Sequence, residues 1–117
     1  MEICNRELQI PFVTKDGSTI RSLLDLSNAS VMNQSLAEAS LPAGGEITRH
    51  YHIVSEEFYY LLEGNGVMEI DGLEREVSVG DAILIPPNTW HGIRAVEPLK
   101  FLCCCSPPYS HDDTYFV

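Results

Sequence analysis

With 117 residues, 44% apolar and 21% charged, the chain is long enough for one compact core and too short for two, so a single domain over residues 1–117 is expected. Seventeen Asp and Glu oppose seven Lys and Arg, and a formal net charge of -10 repels phosphate backbones and anionic lipids, which rules against nucleic acid and membranes as partners. No run nears the roughly 20 apolar residues that cross a bilayer, and Met1 to Glu7 has no charged-then-apolar export pattern, so a cytoplasmic protein is expected.

Along the chain, short apolar stretches alternate with turn residues. Lys15-Asp16-Gly17-Ser18 turns into a strand-like run from Ile20 to Leu26, which Ser27-Asn28-Ala29-Ser30 breaks. Val31 to Ala39 is a polar alternating run and the one segment arguable as helix, though its Ser and Asn weaken that. Leu41-Pro42-Ala43-Gly44-Gly45 breaks again, Ile47 to Val54 reads as a strand, and Phe58 to Leu62 is a dense apolar run ending at Glu63-Gly64-Asn65-Gly66.

Val67 to Ile70 and Leu73 to Val77 flank Asp71-Gly72, a hairpin signal because both central positions take positive φ cheaply. After Gly80-Asp81, Ala82 to Ile85 forms a strand and Pro86-Pro87-Asn88 a rigid corner. Trp90 to Val96 and Leu99 to Cys105 follow, separated by Glu97-Pro98. The tail from Ser106 to Val117 is expected to wrap the outside. Many short strands with almost no helical period predict an all-β barrel or sandwich.

Cys103, Cys104 and Cys105 lie on one strand, where alternate side chains point to opposite faces and do not bridge readily. With Cys4 they offer no C-x-x-C spacing, so they read as small apolar fillers in a reducing compartment.

The chemistry begins at His50-Tyr51-His52. Residues two apart on a strand share a face, so both imidazoles point one way with Thr48 beside them, and Arg49, Tyr51 and Ile53 point the other. Glu57 lies on the next strand, able to face back toward the same point, and His91 follows the Pro86-Pro87 corner. Three imidazoles and one carboxylate suit a divalent Fe, Mn, Ni, Co or Zn ion, and in an octahedral ion they leave two positions open. A lone His on a strand is more often an ordinary surface or core residue. Here three of the chain's four histidines fall into one pattern.

That pattern resembles the cupin family. Gly44, five residues, His50-Tyr51-His52, four residues, Glu57, six residues and Gly64 look like its first motif. Gly80, five residues, Pro86, then Trp90-His91 look like its second, with room for one hairpin between, as in compact bacterial cupins. The motif core covers about residues 44–96, flanked by N-terminal strands within 1–40 and a C-terminal strand and tail over 97–117. The resemblance implies a double-stranded β-helix, the RmlC-like jelly-roll barrel. It implies one divalent metal inside the open end on His50, His52, Glu57 and His91, and a homodimer that shares an N-terminal strand. Two positions depart from the motif: Asn88 stands where Gly is usual, and Ala95 replaces the terminal Asn, which is not a ligand. Asn takes left-handed turns better than other non-glycine residues, so the corner is expected to survive.

Outside the ligands, Tyr59 shares parity with Glu57 and is a candidate catalytic or substrate-orienting group, against the plainer reading of a packed core tyrosine. His111, or Tyr109 before it, is a candidate to reach the barrel mouth from the tail. Ile93 is expected to line the pocket and Trp90 to pack outside the barrel. Arg49 and Arg94 are turned away by parity, so no cation cluster exists for phosphate, and a small oxygen-rich or aromatic anionic substrate on the metal fits better. The activity expected is a dioxygenase with iron, or a Lewis-acid isomerase, cyclase or decarboxylase with other ions. The alternative is a non-catalytic small-molecule or metal-binding module.

Overall fold

The computed structural model describes residues 1–116, and over them strand is the dominant structure. The strands are β1 (Phe12–Val13), β2 (Thr19–Leu24), β3 (Ser35–Leu41), β4 (Glu46–Tyr51), β5 (Glu56–Glu63), β6 (Asn65–Ile70), β7 (Leu73–Ser78), β8 (Ala82–Ile85), β9 (His91–Ala95), β10 (Leu99–Ser106) and β11 (Tyr115–Phe116). Two short 3₁₀ turns, Arg6–Leu8 and His111–Asp113, complete the regular structure of the described residues. No helix among them is long and apolar enough to cross a membrane.

All pairings are antiparallel, in two sheets ordered β1-β2-β3-β10-β5-β8 and β11-β4-β9-β6-β7. From β3 onward nearly every connection carries the chain from one sheet to the other, which rolls it into a jelly roll. The segment Val31 to Ala39 is not helical: its first half is irregular and its second half enters β3, the strand that pairs with both β2 and β10.

Period-two patterning decides which side chains enter the barrel. On β5, Glu57, Tyr59 and Leu61 are buried while Phe58, Tyr60 and Leu62 lie on the outer face, as alternation demands. Leu61 meets Phe101 across the β5–β10 pair, and with Leu41, Ile47, Met68, Ile85, Ile93 and Leu99 they form the apolar core. The inward residues change character along the strands. β5 runs from Glu57 to Leu61 and β4 from Ile47 to His50, so hydrocarbon fills one end of the barrel and histidine and carboxylate the other.

The turns use the residues their geometry needs. Asp71 (φ 48°) and Gly72 (φ 86°) both sit in the left-handed region of the β6–β7 hairpin, and Asn88 (φ 59°) holds the left-handed corner before β9. Gly64 (φ 80°) is the single residue joining β5 to β6 across the sheets, and a Cβ there would lie 2.0 Å from the Pro98 carbonyl oxygen. At Gly72 the same methyl would meet nothing within 4 Å. Gly72→Ala therefore carries only the left-handed strain, about 1–2 kcal/mol. Gly64→Ala adds overpacking against main chain, for a total of about 2–5 kcal/mol. Urea unfolding midpoints of the two variants test this order, and equal losses would contradict it.

Candidate metal centre

His50 closes β4, His52 follows it by two residues, Glu57 is the second residue of β5, and His91 opens β9. His50 and His91 are direct cross-strand partners. The β4–β9 register slips between Ile47 and His50, so both of these residues point inward although they are three apart. A bulge re-aims a side chain in this way. It corrects the expected parity: Thr48 is exposed and does not flank the histidines. Its carbonyl does reach the site, accepting from His50 Nδ1 at 2.7 Å.

The structure brings all four sequence-predicted ligands together. Their candidate donor atoms lie within 4.8 Å of one another, and each residue is 3% exposed or less. Bonds of about 2.1 Å place neighbouring donors roughly 3 Å apart and opposite donors roughly 4.2 Å apart, so one ion fits among them. The imidazoles are also pre-set. His50 Nδ1 donates to the Thr48 carbonyl, His52 Nδ1 to the Asp113 carbonyl at 2.9 Å and His91 Nδ1 to the Thr89 carbonyl at 2.9 Å. With the ring proton held on Nδ1, each Nε2 presents a lone pair.

Those lone pairs face another acceptor. Glu57 Oε1 lies 2.8 Å from His52 Nε2 and 3.2 Å from His91 Nε2, and with this tautomer none of the three buried atoms has a hydrogen-bond partner. Acceptors crowded together out of water are costly unless a positive charge sits among them. A proton on His52 Nε2 or a divalent ion supplies it. The electrostatics agree: burial works against ionisation of Glu57, but contact with His52 and His91 outweighs it and holds the carboxyl well below its usual range. For His52 burial opposes protonation, yet contact with Glu57 raises its pKa, whereas burial and the neighbouring His91 lower that of His50. The set can bind a metal.

The tail does more than wrap the outside. β11 pairs with β4, setting Tyr115 opposite Tyr51 and Phe116 opposite His50. The Asp113 carboxylate accepts from the backbone N–H groups of Ile53, Val54 and Ser55, while its carbonyl steers His52. Tyr109 sets its ring edge-on to His52, and its hydroxyl lies 3.1 Å from Nδ1 of His111, which is exposed at the cavity mouth.

Tyr59 is buried against Phe101, with ring centroids 4.4 Å apart, and it lines the cavity beside Glu57. Burial, reinforced by the Glu57 charge, pushes its phenol well above the ordinary value, so it stays a hydroxyl. Ile93 joins the core instead of the cavity wall. Trp90 packs outside, edge-on to Tyr51 and beneath the Arg49 guanidinium, which pairs with Glu69.

Cys103 and Cys105 are the residues whose place the sequence reading missed. β10 runs beside β5 with Cys105 opposite Glu57 and Cys103 opposite Tyr59, and their sulfurs lie 2.8 Å (Cys103) and 3.3 Å (Cys105) from Glu57 Oε2. They pack against the core as expected of small fillers, but their thiols also contact the Glu57 carboxylate. The available signal was their i, i+2 spacing on a strand, the same argument applied to His50 and His52. Contact with Cys105, then burial, pushes the Cys103 thiol well up; at Cys105 the contact with Cys103 lowers the pKa, but burial and Glu57 outweigh it.

The site opens into a cavity of about 570 Å³ whose lining runs from His50, His52 and Glu57 to Asp16, Ser18 and Ser35 and includes neither Lys nor Arg.

Comparison with known proteins places this geometry. The chain is 52% identical over 106 residues to the uncharacterised protein MJ1618 of Methanocaldococcus jannaschii, covering 89% of this chain and 85% of that one. It is 34% identical over 82 residues to the dimethylsulfoniopropionate lyase DddW of Ruegeria pomeroyi, covering 69% of this chain and 53% of the lyase. The crystal structure of a predicted oxalate decarboxylase from Thermotoga maritima superposes with a TM-score of 0.79 at 21% identity, over 90% of this chain and 98% of that one, and so shares the fold. Residues 37–105, which contain the four converging side chains, match the family model of the cupin domain, and the chain belongs to the cupin family.

Proposed function

We propose that the protein is a metal-dependent enzyme that holds a small oxygen-rich or aromatic anionic substrate at a divalent ion bound by His50, His52, Glu57 and His91. The observation that carries this is the set of orphaned acceptors, His52 Nε2, Glu57 Oε1 and His91 Nε2, beside a cavity of about 570 Å³. Bound there, the ion supplies Lewis-acid polarisation of a carboxylate or carbonyl oxygen, or, where it is iron, dioxygenase chemistry.

The chain's own residues set the terms of binding. No Lys or Arg lines the cavity, so an anionic group has its electrostatic partner at the centre alone. The buried Ile47 and Phe101 in the wall exclude water and suit an apolar or ring-like body. Tyr59 keeps a hydroxyl beside Glu57 as a donor to a substrate oxygen. His111, paired with Tyr109 at the mouth, is positioned to pass protons between the cavity and solvent. The likeness to a lyase supports the Lewis-acid form of the reading.

The test starts from protein purified without added ions, analysed for metal by mass spectrometry. It is then offered a panel of 3-oxo acids, catechols, flavonols and dimethylsulfoniopropionate, with O₂ uptake followed in parallel. Turnover without O₂ uptake is the outcome expected of a Lewis-acid enzyme, and O₂ uptake by an iron-loaded protein that of a dioxygenase. Firm binding with no turnover across the panel would leave the non-catalytic module and sink the enzyme reading.

A further inference from the structure

Glu57 has two faces. Oε1 looks at the histidines, and Oε2 accepts from two thiols on the neighbouring strand, Cys103 at 2.8 Å and Cys105 at 3.3 Å. From this juxtaposition we propose a second metal position, held by Cys103 Sγ, Cys105 Sγ and Glu57 Oε2, that takes a thiophilic divalent ion such as Zn²⁺. Glu57 is then the bridge between two ions. The proposal shares only that carboxylate with the histidine centre proposed above.

Three observations carry it. The first is the sulfur spacing: Cys103 Sγ and Cys105 Sγ are 3.8 Å apart. Two bonds of about 2.3 Å meeting at the tetrahedral angle span roughly 3.8 Å, so the pair already forms one edge of a zinc–thiolate tetrahedron. The second is the third donor. The Oε2, Cys103 and Cys105 atoms lie within 4.8 Å of one another, as a single ion requires. A tetrahedral edge from sulfur to oxygen is roughly 3.5 Å, so Cys105 at 3.3 Å sits almost in place and Cys103 at 2.8 Å withdraws by about 0.7 Å.

The third is access. Both cysteines line the cavity that opens at the barrel mouth, so an ion and a fourth ligand, water or substrate, reach them from solvent. β10 supplies the rigidity: it is paired along its length with β3 on one side and β5 on the other, and alternation turns Cys104 to the opposite face.

The charges balance. Each thiol gives up its proton to solvent as its S–metal bond forms, and no electron is transferred. Two divalent ions against two thiolates and one carboxylate leave a single positive charge, suited to an anionic substrate. Carboxylate-bridged pairs of this kind lie about 3.5–4 Å apart and can clamp two oxygens of one substrate.

Cobalt titration of the full-length, metal-free protein under reducing, anaerobic conditions tests the assignment. Co²⁺ replaces Zn²⁺ and shows thiolate ligation as an intense near-ultraviolet charge-transfer band. The wild type is expected to take two equivalents with that band present. Cys103→Ser/Cys105→Ser, folded by circular dichroism, is expected to take one equivalent with no band. His50→Ala/His91→Ala is expected to keep the band with one equivalent, so failure of the histidine centre and failure of the thiol position give different spectra. Wild-type saturation at one equivalent, with or without the band, overturns the second position. So does an unchanged two-equivalent titration in the double cysteine variant.

Discussion

Stripping divalent ions from the protein with a chelator lowers its melting temperature by about 10 °C, and restoring the ion recovers it. An ion bound by the folded state alone stabilises it by about 2.7 kcal/mol at a hundredfold excess over its dissociation constant. For a chain of 117 residues each kcal/mol moves the midpoint by roughly 4 °C. The direction follows from the centre itself. Without an ion, Glu57 Oε1 and the Nε2 atoms of His52 and His91 are buried acceptors that a proton must reconcile, and with it they become ligands. Differential scanning fluorimetry of chelated and reloaded protein, with metal content measured on the same samples, reads the effect. An unchanged midpoint in protein shown to have lost its ion would mean that the four side chains are not a binding site.

His52→Ala weakens metal affinity by at least 10–100-fold, the range already lost when a group that merely supports a ligand is removed. Measured occupancy of the histidine centre after dialysis against a weak chelator falls severalfold. His52 is the instructive choice because its ring is only 3% exposed, within 2.8 Å of Glu57, and aimed by a carbonyl from the tail. His111→Ala is the matched control. That ring is exposed at the mouth, outside the converging set, and its loss leaves metal content unchanged. Full occupancy in His52→Ala, or an equal fall in His111→Ala, would remove the ligand assignment.

The convergence of His50, His52, Glu57 and His91 was legible because spacing and strand parity are local rules. His50 and His52 share a face by period two, and Glu57 and His91 stand at fixed distances from glycine and proline turns that the sequence displays. The strands between Ile47 and Cys105 were legible for the same reason, down to Asn88 in its left-handed corner, although the one expected to reach Val54 ends at Tyr51. What escaped depends on partners distant in the chain. The slip that turns Thr48 outward exists only in the register between β4 and β9. Cys103 and Cys105 became part of the site only once β10 was known to lie beside β5, since nothing local puts residue 105 opposite residue 57. The tail was only partly legible, because its two prolines and mixed polarity hide a two-residue strand whose pairing, with β4, is made sixty-odd residues away.

The dependence of His52 on Asp113 sets an order of events during synthesis. All four donors leave the ribosome well before the carbonyl that aims one of them, and so do the backbone N–H groups of residues 53–55 that await the Asp113 carboxylate. A nascent polypeptide stalled short of residue 113 carries every ligand and lacks the brace that orients His52. The four side chains are therefore all held in place only once residue 113 has joined the rolled barrel.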